Sequence, residues 1–270
     1  MNDALRSLNE EGRALWDQKA AFWDALHGDE GNFFHRRLIG PAVERLLGLR
    51  PGERVIDIGC GSGVMARRMA ALGAQVTAVD FSEALLVRAR ARGQTGGEAI
   101  RYAQADATDE TALIAFGEES FDAAVTTMAL MDMPDITPLY RAARRLIKPG
   151  GRLVVATAHP VINSSNPIFF SEREESPTGA VIRHGVRLMA YLNVPPFKAR
   201  GASDDPAPHT YYHRPLHQLL GEAFAAGWVL DALEEPGFSV EDLTPDRALS
   251  WRSTTQLPPI LAYRLTAHPA

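Results

Sequence analysis

Two carboxylates and three glycines are the residues of this sequence best suited to holding a ligand. Asp57 lies in an apolar run, Val55-Ile56-Asp57-Ile58, that leads straight into Gly59-Cys60-Gly61-Ser62-Gly63. Asp80 closes a second apolar run and stands 80 − 57 = 23 positions beyond Asp57. Glycines let the backbone turn sharply and let a ligand lie against bare main chain. An acid just past a second strand suits the paired hydroxyls of a ribose, because a carboxylate accepts hydrogen bonds from both. Val64 stands where the third glycine of a dinucleotide G-x-G-x-x-G fingerprint belongs, and the loop lacks the lysine of a phosphate-cradling P-loop. At the mouth of the turn, Asp57 would repel a pyrophosphate and attract an ammonium or sulfonium group. The ligand indicated is a nucleoside with a cationic tail. For the glycine loop alone, a βα turn that binds nothing fits equally well.

The elements that must position these residues read as strand, glycine turn, helix and strand from Glu53 to Ser82, a nucleotide-binding βαβ unit. The stretch Val55-Ile56-Asp57-Ile58-Gly59-Cys60-Gly61-Ser62-Gly63 resembles the first motif of the class I S-adenosylmethionine-dependent methyltransferases. Further segments follow in the order that family requires. Ile100 to Ala105 reads as a third strand ending at Asp106-Ala107, and Phe121 to Thr126 resembles the family's fourth strand. Leu146-Ile147-Lys148-Pro149-Gly150-Gly151-Arg152-Leu153 resembles the segment that ends a helix and opens a fifth strand; proline stops the helix and glycine supplies its C-terminal turn. The resemblance covers roughly residues 50–158. It implies an α/β, Rossmann-like, mostly parallel seven-stranded sheet with helices on both faces, and S-adenosylmethionine as cofactor. It further implies cofactor contacts from Asp57, Gly59, Cys60, Gly61 and Gly63, from Asp80, Phe81 and Ser82 at the ribose, from Asp106 and Ala107 at the adenine, and from Met128 beside the methionine tail.

Composition narrows the partners. The chain has 270 residues, 46% of them hydrophobic, enough for one large α/β domain with insertions. A formal net charge of −5 offers no basic field for a nucleic-acid backbone. Clusters such as Arg67-Arg68 and Arg144-Arg145 fall in helical stretches and read as solvated outer faces. The single cysteine, Cys60, rules out an internal disulfide and fits a reducing cytoplasm. No apolar stretch approaches a membrane span, and no secretory signal precedes Asp3 and Glu10.

Four parts are expected along the chain: an N-terminal helical cap (1–49), a cofactor-binding core (50–158), a substrate-side insertion (159–214), and a closing helix with strands (215–270). In the cap, Asp3 to Leu26 and Phe33 to Leu47 read as helices around a turn cluster at residues 27–32, with Leu5, Leu8, Leu15, Trp16, Phe22, Trp23 and Leu26 on one side of the first. Methyltransferases of this kind often cover the cofactor with such an extension, so Gly31-Asn32-Phe33 is a candidate contact. Within the insertion, residues 180–192 alternate well enough for one or two strands. Phe169, Phe170, Tyr191, Phe197, Tyr211 and Tyr212 could enclose an organic ring, forming the acceptor pocket and its lid. The competing reading is an arm that packs against a second subunit in a homodimer. Arg214-Pro215-Leu216 opens a helix to about Ala226, and strands are expected at Trp228 to Leu233 and Ile260 to Leu265.

The implied chemistry is attack by a small-molecule O, N or C nucleophile on a sulfonium methyl. His159, at the carboxyl end of the fifth strand, is the candidate general base, since ligands of open α/β sheets sit at that edge and imidazole titrates near neutrality. His213 is a second candidate, with Tyr212 and Arg214 as pocket residues. Thr127-Met128-Ala129-Leu130 replaces the Asn/Asp-Pro-Pro-Tyr motif usual in methyltransferases of exocyclic and amide nitrogens. No metal-ligand spacing of Cys or His is present. Two other classes remain: a non-catalytic S-adenosylmethionine-binding protein, and a nicotinamide-dependent oxidoreductase, the latter disfavoured by Val64, Asp57 and Asp106.

Overall fold

The computed structural model describes residues 3–92, 100–161, 167–177, 179–244 and 250–267. It opens with α1 (Asp3–His27), followed by a π-helical turn (His35–Ile39) that runs into α2 (Gly40–Leu47). The glycine-turn unit is β1 (Arg54–Ile58), α3 (Val64–Ala71) and β2 (Gln75–Asp80). Next come α4 (Glu83–Ala91), β3 (Arg101–Gln104), α5 (Glu110–Ile114), β4 (Phe121–Thr127), α6 (Thr137–Leu146) and β5 (Ile147–Ala158). Two hairpins follow, β6 (Ile168–Ser176) with β7 (Gly179–Arg187) and β8 (Phe197–Ala199) with β9 (His209–Tyr211). The chain closes with α7 (Leu216–Ala225), β10 (Trp228–Glu234) and β11 (Ile260–Ala267).

Seven strands form one sheet in the order β10-β11-β5-β4-β1-β2-β3. Only β11 runs antiparallel to its neighbours. Alternate residues of the central strands feed separate cores: Ile56, Leu153 and Val155 pack with α6 and Tyr263 on one face, Val55 and Val154 with α2 and α3 on the other. Both faces are covered, which is why these strands read as unbroken apolar runs. The strand order reverses between β4 and β1, so a crevice opens where the loops after their carboxyl ends diverge.

Helices occupy the N-terminal stretch, and α1 buries Trp23 of the expected apolar side together with polar residues. Asn9, Lys19, Ala20 and Trp23 are buried, whereas Leu8 and Leu26 are exposed. Ionic and capping contacts fix its seat: Asp17 accepts from the Ser82 hydroxyl at 2.6 Å, and Asp24 accepts from Arg92 at 2.5 Å. Arg67 is not on a solvated face. It is buried and donates to the carbonyls of Ser62, Gly28 and Asp29, tying the glycine turn to the turn after α1. In the insertion, β7 coincides with the expected strand, but its partner β6 was not legible. The Glu172-Arg173-Glu174-Glu175 stretch of β6 is exposed and shows no apolar alternation. Among the described residues, no helix is long and apolar enough to cross a membrane.

Candidate active site

A cavity of about 370 Å³ lies over the carboxyl ends of β1, β2 and β4, within the usual range for a small-molecule site. Its floor is the turn after β1. Gly59 and Gly61 have φ of +76° and +54°, a region costly for residues with a Cβ. A Cβ on Gly59 would also lie 2.8 Å from the Cβ of Ala129, in the loop after β4, whereas one on Gly61 would meet nothing within 4 Å. Main chain is therefore bare where a ligand would rest. Met128 is held at φ +53°, with its amide donating to the Ala156 carbonyl at 2.7 Å. A non-glycine residue in that conformation marks stored strain of a kind that clusters at ligand sites.

Asp57 lies behind this turn, fully buried, and neither carboxylate oxygen has a hydrogen-bond partner. Desolvation, then the nearby Asp80, raises its pKa to about 7, against a lowering by the backbone amide of Ala66. A cationic ligand group above the turn would supply the missing counter-charge. Asp80 lines the cavity at the end of β2. Its two oxygens accept from the amides of Gly61 and Ser82 at 2.8 and 2.9 Å, and burial raises its pKa to about 6. Each oxygen keeps a lone pair for a hydroxyl donor. Asp106 lines the far end, where Oδ1 accepts from Thr108 and Oδ2 from the Asn9 side chain at 2.5 Å. Asn9 thus brings α1 down onto the segment expected to face the adenine. These residues fit a nucleoside with a cationic tail.

Cys60, Phe81, Ala107 and Met128 also line the cavity. Three expected contacts do not. Asp57 acts from beneath the turn, Gly63 is the N-cap of α3 under the Tyr102 hydroxyl, and Ser82 caps α4 while donating to Asp17. The cap contributes more wall than the sequence indicated: Trp16, Trp23, His27, Asn32 and His35 all face the space. Of the turn proposed as a contact, Asn32 faces the cavity, and Gly31 and Phe33 are not among its walls. His27 and His35 pack ring to ring, and burial lowers their pKa values to about 4 and about 3. Both are neutral at pH 7.

His159 is not brought to the cavity. Its neighbour Ala158 faces inward, and the His159 ring, nearly fully buried, turns away to meet Glu235 at 2.7 Å. Successive side chains of a strand point to opposite faces, so only one of the two can reach the ligand side. A second cavity of about 410 Å³ adjoins the first, sharing Ala158, Gly201, Tyr211 and Trp251. Phe169, Phe197, Tyr212 and His213 give it an aromatic wall, and Arg200 and Arg214 also line it. Phe170 instead packs beneath Arg187, and Tyr191 contacts His213 and the start of α7. Arg214 clamps the loop after β4, donating to the carbonyls of Leu130 and Met133 at 3.0 and 2.6 Å. That loop carries Asp132 into the first cavity, a residue the sequence did not single out.

Residues 56–155 match the family described as methyltransferase domain. The chain is 42% identical over 106 residues to the ubiquinone biosynthesis O-methyltransferase of Xanthomonas oryzae pv. oryzae, a match covering 39% of this chain and 43% of that relative, so it spans less than half of that protein. It superposes on an S-adenosylmethionine-dependent methyltransferase from Mesorhizobium loti with a TM-score of 0.63 and 25% identity, covering 83% of this chain and 95% of the other. The fold is shared with the glycopeptide N-methyltransferase MtfA, solved with S-adenosyl-L-methionine, at a TM-score of 0.54, 17% identity and coverage of 84% and 92%. With the glycine turn, the strand order and the three acids in place, residues 56–155 are similar to the methyltransferase-domain family, and the chain has the fold of S-adenosylmethionine-dependent methyltransferases.

Proposed function

We propose that this protein transfers a methyl group from S-adenosylmethionine to an O, N or C nucleophile of a small, partly apolar organic molecule. The observation that carries this is the pair of adjoining cavities. One is built on the glycine turn with Asp57, Asp80 and Asp106; the other is walled by aromatic side chains, with Ala158, Gly201, Tyr211 and Trp251 at their junction. When bound, the cofactor supplies an electrophilic methyl on a sulfonium. Asp80 orients the ribose, Asp57 offsets the cationic tail from behind the turn, and Asp106 with Asn9 closes the adenine end. Trp16 and Trp23 of α1 cover the cavity and exclude water, and the strained Met128 loop sets the wall beside the reacting centre. Holding two reactants in line can itself supply roughly 7–11 kcal/mol of the barrier.

The relatives named as ubiquinone biosynthesis O-methyltransferases support a small organic acceptor rather than a polymer, and the net charge of −5 argues against a nucleic-acid partner. A lone buried Cys60 fits a cytoplasmic protein. The test is transfer of a labelled methyl group from S-adenosylmethionine to a panel of phenols, catechols and aryl amines, read by mass spectrometry. A methylated product that disappears with Gly59→Ala is expected. No transfer, together with saturable NADH binding, would overturn the proposal.

A further inference from the structure

Three buried titratable side chains that the cofactor cradle does not use, Asp205, Lys19 and His209, lead in a line to a fourth, the partly exposed Asp132, near the junction of the cavities. Asp205 and Lys19 have fully buried side chains and pair at 2.9 Å. The Lys19 ammonium also donates to the Ala207 carbonyl at 3.1 Å and contacts Nδ1 of His209 at 2.7 Å. An ammonium has three protons and accepts nothing, so Nδ1 must be the acceptor and the ring proton resides on Nε2. Nε2 lies 3.4 Å from Oδ1 of Asp132. That oxygen is sealed from solvent with no hydrogen bond made to it, while the Asp132 side chain as a whole is 15% exposed and lines the cofactor cavity. Tyr211, 4.4 Å from the His209 ring, lines both cavities. Buried ion pairs seldom stabilise a fold better than apolar side chains of equal volume. A purely structural role therefore leaves the line unexplained.

Resting on the methyl-transfer reading above, we propose that the acceptor carries a hydroxyl, that Asp132 is the base taking its proton, and that His209, Lys19 and Asp205 are positioning residues. As the O–H bond breaks, its proton passes to the Asp132 carboxylate. The oxygen's electron pair forms the bond to the methyl carbon, and the pair of the broken C–S bond stays on sulfur. His209, locked as the Nε2–H tautomer by Lys19, holds its Nε2 3.4 Å from Oδ1 and leaves the exposed side of the carboxylate to the acceptor. The groups facing Asp132 are His209, Tyr211 and Tyr212 from the insertion and Lys19 from α1, with Asp205 behind the lysine. Burial raises the Asp132 carboxyl above its ordinary value, against the lowering by His209 and Lys19, which favours its taking a proton.

The first test needs neither cofactor nor acceptor. Nitrogen-15 histidine NMR of the full chain at pH 7 should show His209 as the Nε2–H tautomer, and Lys19→Met should release it to a tautomer mixture. An Nδ1–H tautomer or an imidazolium in the unsubstituted protein would overturn the proposal. The second test uses a phenol or catechol methylated in the panel. Asp132→Asn should lower kcat by roughly 10²–10⁴-fold and abolish the acid limb of its pH profile, with acceptor KM and binding of S-adenosylhomocysteine nearly unchanged. His209→Gln should give a smaller fall in kcat with the same split. If Asp132→Asn raises KM alone, the carboxylate merely binds a cation and the proposal fails. Methylation restricted to aryl amines would also overturn it. Absence of cofactor binding and transfer in the unsubstituted protein would instead defeat the methyltransferase reading itself.

Discussion

Replacing Asp57 by Asn should change how the stability of the ligand-free protein depends on pH. A carboxyl that titrates near 3.8 when unfolded and at about 7 when folded binds its proton more tightly in the native state. Its contribution is therefore full below pH 3.8 and is lost as pH rises through about 7. With 1.4 kcal/mol per tenfold change in proton affinity, the loss totals about 4 kcal/mol, and roughly 2–3 kcal/mol of it falls between pH 5 and 8. Asp80, raised to about 6, acts in the same direction. His27 and His35, lowered to about 4 and about 3, act oppositely and lose stability as pH falls below 6.5. The useful quantity is thus the difference between Asp57→Asn and the unsubstituted chain, in which the two histidines cancel and Asp80 enters only through its coupling to Asp57. Urea unfolding at pH 5, 6, 7 and 8 without ligand should show the variant gaining relative stability with pH by that amount. Saturating S-adenosylhomocysteine, whose ammonium would supply a counter-charge to the carboxylate, should flatten the difference. A difference independent of pH would refute the buried, partnerless carboxyl and its role as counter-charge.

Other substitutions probe the walls. His159→Ala should lower thermal stability by about 1–2 kcal/mol through its lost burial and contact with Glu235, while turnover changes little; a kcat fall of roughly 100-fold would return it to catalysis. Gly59→Ala introduces a Cβ at φ +76° and 2.8 Å from Ala129. Calorimetry should show sharply weakened cofactor binding, and unaltered affinity would contradict the floor described for the cavity. Phe197→Ala should raise acceptor KM roughly tenfold, the worth of about half a buried phenylalanine, and leave the affinity for S-adenosylhomocysteine unchanged. An equal loss of both would mean that the second cavity does not hold the acceptor.

The cofactor half of the site was legible because its geometry is local. A glycine turn between two apolar runs, and an acid after the second, depend only on neighbours in sequence, and Gly59, Asp80 and Asp106 stand where expected. What failed to read were side-chain directions and distant pairings. His159 lies at the expected strand end, but one residue of register sends it to Glu235 and leaves Ala158 on the cavity. On α1, spacing indicated an apolar side of leucines, tryptophans and Phe22, yet Asn9 and Lys19 are also buried, paired with Asp106 and Asp205, which lie 97 and 186 positions away. No periodicity announces such partners. The same holds for Asp132 and His209, which meet only because Arg214 and the β8–β9 hairpin bring the insertion back over the loop after β4.

The central claim, that the glycine turn and its acids hold S-adenosylmethionine, is tested most directly by calorimetric titration of the unsubstituted chain and of Asp80→Ala. Saturable binding of S-adenosylmethionine in the micromolar range is expected, with none for NADH. The variant should bind about 1–3 kcal/mol more weakly, the cost of leaving ribose hydroxyls unpaired on desolvation. NADH binding that survives Asp80→Ala, or S-adenosylmethionine binding that ignores it, would contradict the account.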